Sequence, residues 1–315
     1  MIKRKLGNTG FKVAPLAFGG NVFGWSADEA TSFRLLDAFV AAGFNLIDTA
    51  DVYSNWVAGN SGGESETLIG KWLALRKNRD KVVIATKVGY KMSPDKTGLK
   101  RAYMLRAVED SLRRLQTDYI DLYQSHIDDP DTPQAETLDT YTQLIKAGKV
   151  RAIGASQFSA ARLREALQIS ADNGLPAYQT LQPGYNLYDR AGYEAELEGL
   201  CREKGLGVIT FASLARGFLT GKFRTEADLA KSVRGPWAKG LLNERGFRIL
   251  AALDEVAAQH RSTAAKVSLA WLMARPGVTA PIAGATTVEQ LKELLDAAEL
   301  RLEPASIALL DRASA

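Results

Sequence analysis

Residues 30–53 read ATSFRLLDAFVAAGFNLIDTADVY, and this stretch holds one whole repeat of the fold. Phe33, Leu36, Phe39 and Val40 recur at the spacing of one helix face. Gly43 follows, where a left-handed helix cap favours glycine. Phe44 to Asp48 is then a short apolar run of strand type that closes on a carboxylate, with Tyr53 in the segment beyond it. A helix thus feeds a strand whose far end carries polar groups.

The same alternation runs outward in both directions. Val13 to Phe18 precedes it as a strand ending in Gly19-Gly20, and Val82–Lys87, Ile120–Tyr123, Val150–Gly154, Tyr178–Gln182, Gly207–Phe211 and Thr279–Ile282 follow. Helical spacing recurs over Glu64–Leu75, Tyr103–Leu115, Thr137–Ala147, Ala160–Ile169 and Tyr193–Lys204, with Gly148, Gly174 and Gly205 just past helix ends. Strand–helix alternation implies parallel strands joined by right-handed crossovers. Eight units predict an α/β fold, a (β/α)8 TIM barrel, over residues 1–315 as a single domain. Ile2–Leu6, a Gly7–Gly10 turn and Phe11–Val13 predict an N-terminal β-hairpin. Ala212 to Gly246, after the seventh strand, reads as one long functional loop without structure of its own, mobile enough to clamp and release a ligand.

Composition sets the outer bounds. The 315 residues are 46% hydrophobic and 24% charged, which is ordinary globular composition and excludes a disordered or collagen-like chain. The net charge is +4, and its basic residues are scattered, so no nucleic-acid-binding face is expected. The lone Cys201 forms no intrachain disulfide and suits a reducing compartment. No signal-peptide pattern and no apolar run of about 18 residues is present, so a cytoplasmic protein without a membrane span is expected.

Barrel enzymes carry their sites at the C-terminal strand ends. Those ends here bring Asp48, Lys87, His126, Ser156-Gln157, Gln182, Phe211 and Gly284 to one rim, with Tyr53 nearby. Each alone is ordinary: a carboxylate caps a helix, a lysine ends a strand, a tyrosine half-buries. Together they make a proton donor. A tyrosine hydroxyl titrates near 10. A lysine beside it favours the phenolate and is expected to lower that value, and Asp48 supplies the lysine's partner. His126 is placed to bond a substrate oxygen. Such a group protonates a carbonyl as hydride arrives from a cofactor. A barrel metallohydrolase needs clustered histidine and carboxylate ligands, and this chain has two distant histidines, His126 and His260, so no metal site is expected.

These residues resemble a bacterial member of the aldo-keto reductase superfamily, related to the potassium-channel β-subunit-like branch. The motifs are Leu6–Gly10, Asn45–Tyr53, Thr86-Lys87, Gln124–Pro130, Gly154–Ser156, Gln182–Asn186, Leu219–Lys222 and Ile282–Thr286, and their order covers nearly the whole chain. The resemblance implies a catalytic tetrad of Asp48, Tyr53, Lys87 and His126, with Tyr53 as acid in reduction and base in oxidation. It implies a nicotinamide dinucleotide lying across the barrel mouth. Ser156, Gln157 and Gln182 match the positions that hold its carboxamide, Phe211 the ring that stacks on it, and Gly20 and Asn21 backbone contacts beneath.

By the same resemblance Ala212, Leu214, Arg216, Gly217 and Lys222 form the pyrophosphate clamp, with Arg234 on the adenine side. Gly284, Thr286, Gln290 and Glu293 match the adenosine-phosphate cluster, and a helix starting near Thr287 aims its amides there. Gln157 stands where asparagine is usual, Leu294 where an asparagine often meets adenine, and Thr286 and Gln290 where many relatives carry arginine. Neutral hydrogen bonds replace charged forks there. NADP(H) is favoured, with NAD(H) as the alternative. Val22, Trp25, Trp56, Tyr90 and parts of the 212–246 loop are expected to line the pocket for a small-molecule carbonyl or alcohol substrate. A monomer or weak homo-oligomer is expected. The competing reading is a cofactor-binding regulatory subunit with little turnover, but such relatives usually carry asparagine where this chain has His126.

Overall fold

The computed structural model describes residues 1–315. Eight parallel strands close into a barrel: β3 (Ala17–Gly19), β4 (Leu46–Asp48), β5 (Val83–Val88), β6 (Ile120–Ser125), β7 (Val150–Ser156), β8 (Thr180–Gln182), β9 (Gly207–Thr210) and β10 (Val278–Ala283). Neighbours in the chain are neighbours in the barrel, and β10 pairs with β3 to shut it. The (β/α)8 barrel read from the sequence is therefore the fold of the chain.

Helices α1 (Glu29–Ala41), α2 (Glu64–Arg76), α3 (Arg101–Leu115), α4 (Gln134–Lys146) and α5 (Ala160–Asn173) follow successive strands. The helix expected over Tyr193–Lys204 is two pieces, α6 (Ala191–Glu194) and α7 (Leu197–Lys204). Gly43, Gly148, Gly174 and Gly205 all take positive φ, as the helix-cap reading requires.

The hairpin is present as β1 (Arg4–Lys5) and β2 (Lys12–Val13), paired antiparallel. Val13 belongs to the hairpin and not to the first barrel strand, which starts at Ala17. Leu6 and Val13 plug the barrel interior against Leu46, Leu122 and Ile209. Contact there is tight: a Cβ on Gly7 would sit 2.1 Å from the Gln179 carbonyl oxygen. The hairpin therefore seals the N-terminal end and leaves the other end as the only mouth.

Residues 212–246 differ from the expectation of a structureless loop. They hold short 3-10 turns at Ala215–Thr220, Glu226–Lys231 and Lys239–Leu241, helix α8 (Gly235–Ala238), and the start of α9 (Glu244–Gln259). Local signals nucleate these pieces: a capping box between Thr225 and Asp228, and Pro236 in the first turn of α8. The Arg224–Asp254 ion pair ties the segment to α9. Helices α10 (Ala264–Ala274), α11 (Val288–Asp296) and α12 (Pro304–Ser314) complete the chain. No helix is long and apolar enough to cross a membrane.

Candidate active site

Asp48 is the last residue of β4, and the β4–β5 register sets it beside Ala85, two positions before Lys87. Lys87 is fully buried. Its ammonium donates to Asp48 Oδ2 at 2.8 Å, the Thr49 carbonyl at 2.7 Å and the Tyr53 hydroxyl at 2.9 Å. An ammonium has three protons, and all three are used. Tyr53 stands on a turn that Ser54 secures, through a left-handed backbone and a 2.6 Å bond from its hydroxyl to the Phe23 carbonyl. The Tyr53 hydroxyl in turn lies 3.4 Å from Asp48 Oδ2.

His126 follows β6, its amide donating to the Val88 carbonyl at 2.8 Å. Its ring meets Tyr90 edge-on at 4.5 Å and Tyr53 at 5.9 Å. Its Nδ1 is buried without a partner. The four tetrad candidates, drawn from the ends of β4, β5 and β6, thus share one corner of the barrel mouth.

Burial governs the charges there. It holds the Lys87 ammonium below its ordinary value against the pull of Asp48. Burial, then the Lys87 charge, pushes His126 well below 6.5, so the imidazole is neutral at pH 7. The phenol departs from the sequence expectation. Burial and then the Asp48 carboxylate push Tyr53 well above 10. Lys87 does not free the tyrosine proton because Asp48 already matches its charge. Tyr53 therefore keeps its proton at neutral pH.

The cofactor candidates occupy the remaining rim. Gln182, across the barrel at the end of β8, donates 2.8 Å to Asp48 Oδ1. Ser156 Oγ donates to the Gln182 carbonyl at 3.0 Å. Gln157 has a left-handed backbone, and its amide donates to the His126 carbonyl at 3.1 Å. One face of the half-buried Phe211 ring lies on Gly184, where a Cβ would come within 3.1 Å of it. Gly20, Asn21, Val22 and Gly284 gather where the first and last strands meet. A Cβ on Gly284 would lie 2.9 Å from the Gly19 carbonyl oxygen.

Next in the chain, Ala212, Ala215, Arg216 and Gly217 all adopt positive φ while Leu214 between them does not. Non-glycine residues held there cluster at ligand clamps. Lys222 lies under Gly217, and burial lowers its pKa. Arg216 donates to the Trp237 carbonyl at 3.0 Å. Thr287 caps α11, as expected, by accepting from the Gln290 amide. Thr286 donates through both its amide and its hydroxyl to Gln290 Oε1, each at 3.0 Å. Glu293 sits one turn further along α11.

Aromatic side chains wall the mouth on the other side. Trp25 and Trp56 meet edge-to-face at 5.6 Å, and Trp56 stands 6.1 Å from the Tyr53 ring. Sequence reading assigned part of the 212–246 segment to this wall without naming Trp237 on α8, which lies 5.5 Å from Trp25. A tryptophan beside Pro236 in a polar segment was the available signal. Arg234 sits over the Trp25 ring at 5.1 Å. Also missed were Gln124, inside the barrel 3.3 Å from Gln182, and a buried network behind Lys87. There Glu66 accepts from Thr86 at 2.5 Å and from Arg114 at 2.7 Å. Asp51 sits fully buried beside them, 3.5 Å from the Tyr103 hydroxyl, with its Oδ1 unpartnered. Burial and then Glu66 raise the Asp51 carboxyl to about 8.

Residues 15–315 match the model of the aldo/keto reductase family. The chain belongs to the aldo/keto reductase family. It is similar to the uncharacterized oxidoreductase YrpG of Bacillus subtilis, 36% identical over 97% of this chain and 94% of that one. It is similar to the norsolorinic acid reductase of Aspergillus flavus, 32% identical over 97% of this chain and 79% of that one. It is likewise similar to a putative voltage-gated potassium channel subunit beta of Schizosaccharomyces pombe, 32% identical over 98% of this chain and 92% of that one. As an aldo/keto reductase the chain is an oxidoreductase acting on carbonyl compounds.

Proposed function

We propose that this aldo/keto reductase interconverts aldehydes or ketones and alcohols with a nicotinamide dinucleotide, and that Tyr53 gives and takes the proton. One observation carries the reading: the Lys87 ammonium binds Asp48 and the Tyr53 hydroxyl at once, beside a neutral His126. Tyr53 retains its proton until a carbonyl oxygen begins to take negative charge, and that oxygen is the acceptor the site awaits. Lys87, held by Asp48 and the Thr49 carbonyl, steadies the phenolate left behind. His126, neutral, donates a hydrogen bond that orients the carbonyl and leaves the proton transfer to Tyr53.

When bound, the cofactor would supply hydride to the carbonyl carbon. The residues present fit it. Phe211 offers a stacking face, Gly20 and Gly284 allow close approach, and the left-handed backbone at Ala212–Gly217 with Arg216 and Lys222 suits a diphosphate. Ser156, Gln157 and Gln182 are the amide partners, and Thr286, Gln290 and Glu293 stand at the adenosine end. Lys222 and the α11 amides favour NADP(H), and NAD(H) is the alternative because positions 286 and 290 lack arginine. The enzyme acts in the cytoplasm as a single barrel domain, monomeric or weakly associated.

The test follows nicotinamide absorbance with NADPH, then NADH, against 4-nitrobenzaldehyde, with Tyr53→Phe alongside. Loss of about 10²–10⁴ in kcat with cofactor binding retained is expected. Full turnover by the variant removes Tyr53 from the role. Tighter binding of NADH than NADPH reverses the cofactor preference. The similarity to a channel subunit sustains a regulatory reading, which single-turnover oxidation of bound cofactor by the wild type would favour.

A further inference from the structure

The loop after β8, residues 183–190, grips both ends of the long segment that follows β9. At the entry, Phe211 donates its amide to the Pro183 carbonyl at 3.0 Å and accepts from the Tyr185 amide at 3.3 Å. One step on, the fully buried Asn186 donates to the Ala212 carbonyl at 3.0 Å. Its amide group also donates to Asp189 Oδ2 at 3.2 Å, and its oxygen accepts from the Tyr188 and Asp189 amides at 2.8 and 2.9 Å. Two donors and two lone pairs are all that an asparagine side chain has, so this one is locked. At the exit, the Asn243 side chain caps α9 by accepting from the Gly246 amide at 2.9 Å, and it donates to the Tyr188 hydroxyl at 2.7 Å. The Tyr188 ring also meets Phe218 edge-on at 6.2 Å.

The hold on Ala212 decides where the next amides point. Ala212 has φ 54°, a left-handed conformation that costs an alanine energy. Its carbonyl is taken by Asn186 and, at 2.7 Å, by the Ala215 amide. In a planar trans peptide the following N–H points the opposite way, so the Ser213 amide is turned away from both. Neither it nor the Leu214 amide bonds a group of the protein. Successive free amides beside left-handed residues form an anion-binding concavity. We propose that Asn186 is a positioning residue for the cofactor diphosphate: it fixes the Ala212–Ser213 peptide so that the Ser213 and Leu214 amides stay free for the anion, while Tyr188 secures the far end of the segment at Asn243. The proposal rests on the reductase reading above. Asn186 acts through its neighbour's backbone, whereas Arg216 and Lys222 supply charge. An aspartate at 186 keeps the shape but sets an oxygen against the Ala212 carbonyl and the Asp189 carboxylate.

The experiment compares wild type, Asn186→Asp and Tyr188→Phe. Quenching of tryptophan fluorescence gives the NADPH dissociation constant. Reduction of 4-nitrobenzaldehyde gives kcat/KM for NADPH and for reduced nicotinamide mononucleotide, which has no diphosphate bridge. Amide hydrogen exchange is followed in each protein without nucleotide. Asn186→Asp is expected to weaken NADPH binding about ten- to hundredfold and to lower the NADPH-to-mononucleotide ratio by a like factor, with kcat at saturating NADPH not lowered. Tyr188→Phe keeps the ring and loses one neutral hydrogen bond, so about two- to tenfold is expected. Unchanged NADPH binding in Asn186→Asp overturns the proposal. Equal losses with both nucleotides, or faster exchange across the whole barrel, overturn it too and make Asn186 a fold residue only. If Asn186→Asp does not fold, the ratio in Tyr188→Phe decides. If wild type binds neither NADPH nor NADH, the reductase reading fails separately. Exchange then decides the anchor: a rise confined to residues 212–243 in Asn186→Asp upholds it, and no change overturns it.

Discussion

Two charged regions adjoin at the mouth of this barrel, and they are built on opposite plans. Around Lys87 every proton of the cation is engaged and both oxygens of Asp48 are bonded, one to Lys87 and one to Gln182. Around Arg234 the cation has no partner and two tryptophans lie half in water. The first region stands largely on strand ends fixed by barrel register; the second stands on the segments beyond the strands, short helix α8 included. The chemistry of the site is thus held by the rigid scaffold, while the surface that meets a substrate is carried where sequence changes cost the fold least.

The closed region breaks hardest. Lys87→Met leaves Asp48 buried and uncompensated, at a cost of about 3–5 kcal/mol. Adding Asp48→Asn to the same chain returns part of that loss, because no buried charge then lacks a partner. Urea unfolding of the two variants and wild type measures this. Equal losses in the single and double variants would mean that the ion pair is not the unit holding the region together.

Behind that region Asp51 keeps one carboxylate oxygen without a partner, and it sharpens the comparison. Burial and then the Glu66 carboxylate raise its pKa, Arg114, the Val52 amide and Lys87 lower it, and its carboxyl stands at about 8. The folded protein therefore keeps a proton that the unfolded chain gives up near pH 4. Stability contributed through Asp51 falls as pH rises from about 4 to about 8, and stays lost above that. His126, held neutral by burial, acts in the opposite sense below about pH 6.5. The difference between wild type and Asp51→Asn is therefore the quantity to read. Thermal unfolding between pH 5 and pH 9 is expected to show a shallower decline in the variant; parallel curves would place the carboxyl in an ordinary environment.

How much of this was legible in the sequence follows from how far each signal reaches. The eight strands stood out because each is a short apolar run, most of them ended by glycine or a polar group, and the tetrad candidates stood out as polar groups at or just beyond those ends. Strand starts blurred: Tyr178 reads as strand, but the barrel strand begins at Thr180, and the Tyr178 hydroxyl bonds Ser125 at 2.8 Å. Residues 212–246 read as loop because their order comes in turns of three to six residues, too short to show a period. The direction of the Tyr53 shift was misjudged because sequence names the neighbour, Lys87, but not the burial or the competing Asp48. The Asp51–Glu66–Arg114 network was invisible, since α2 and α3 bring its members together only on folding. Trp237 was overlooked for the same reason.

The smallest effect is read by setting a tryptophan of the open region against one in the helix layer of the core. Trp72 on α2 is fully buried, and its ring nitrogen donates to Asp37 at 2.8 Å. Removing it empties a filled site, and Trp72→Ala is expected to cost about 3–5 kcal/mol. Trp237 is 49% exposed and meets one ring, Trp25, at 5.5 Å. Half of its surface is already in water, so Trp237→Ala is expected to change unfolding stability by about 1 kcal/mol or less. The same change removes one aromatic wall of the mouth, and turnover of 4-nitrobenzaldehyde should then fall relative to that of propanal. A loss of stability as large as that of Trp72→Ala would make Trp237 part of the core, and the open region would then be a second closed one.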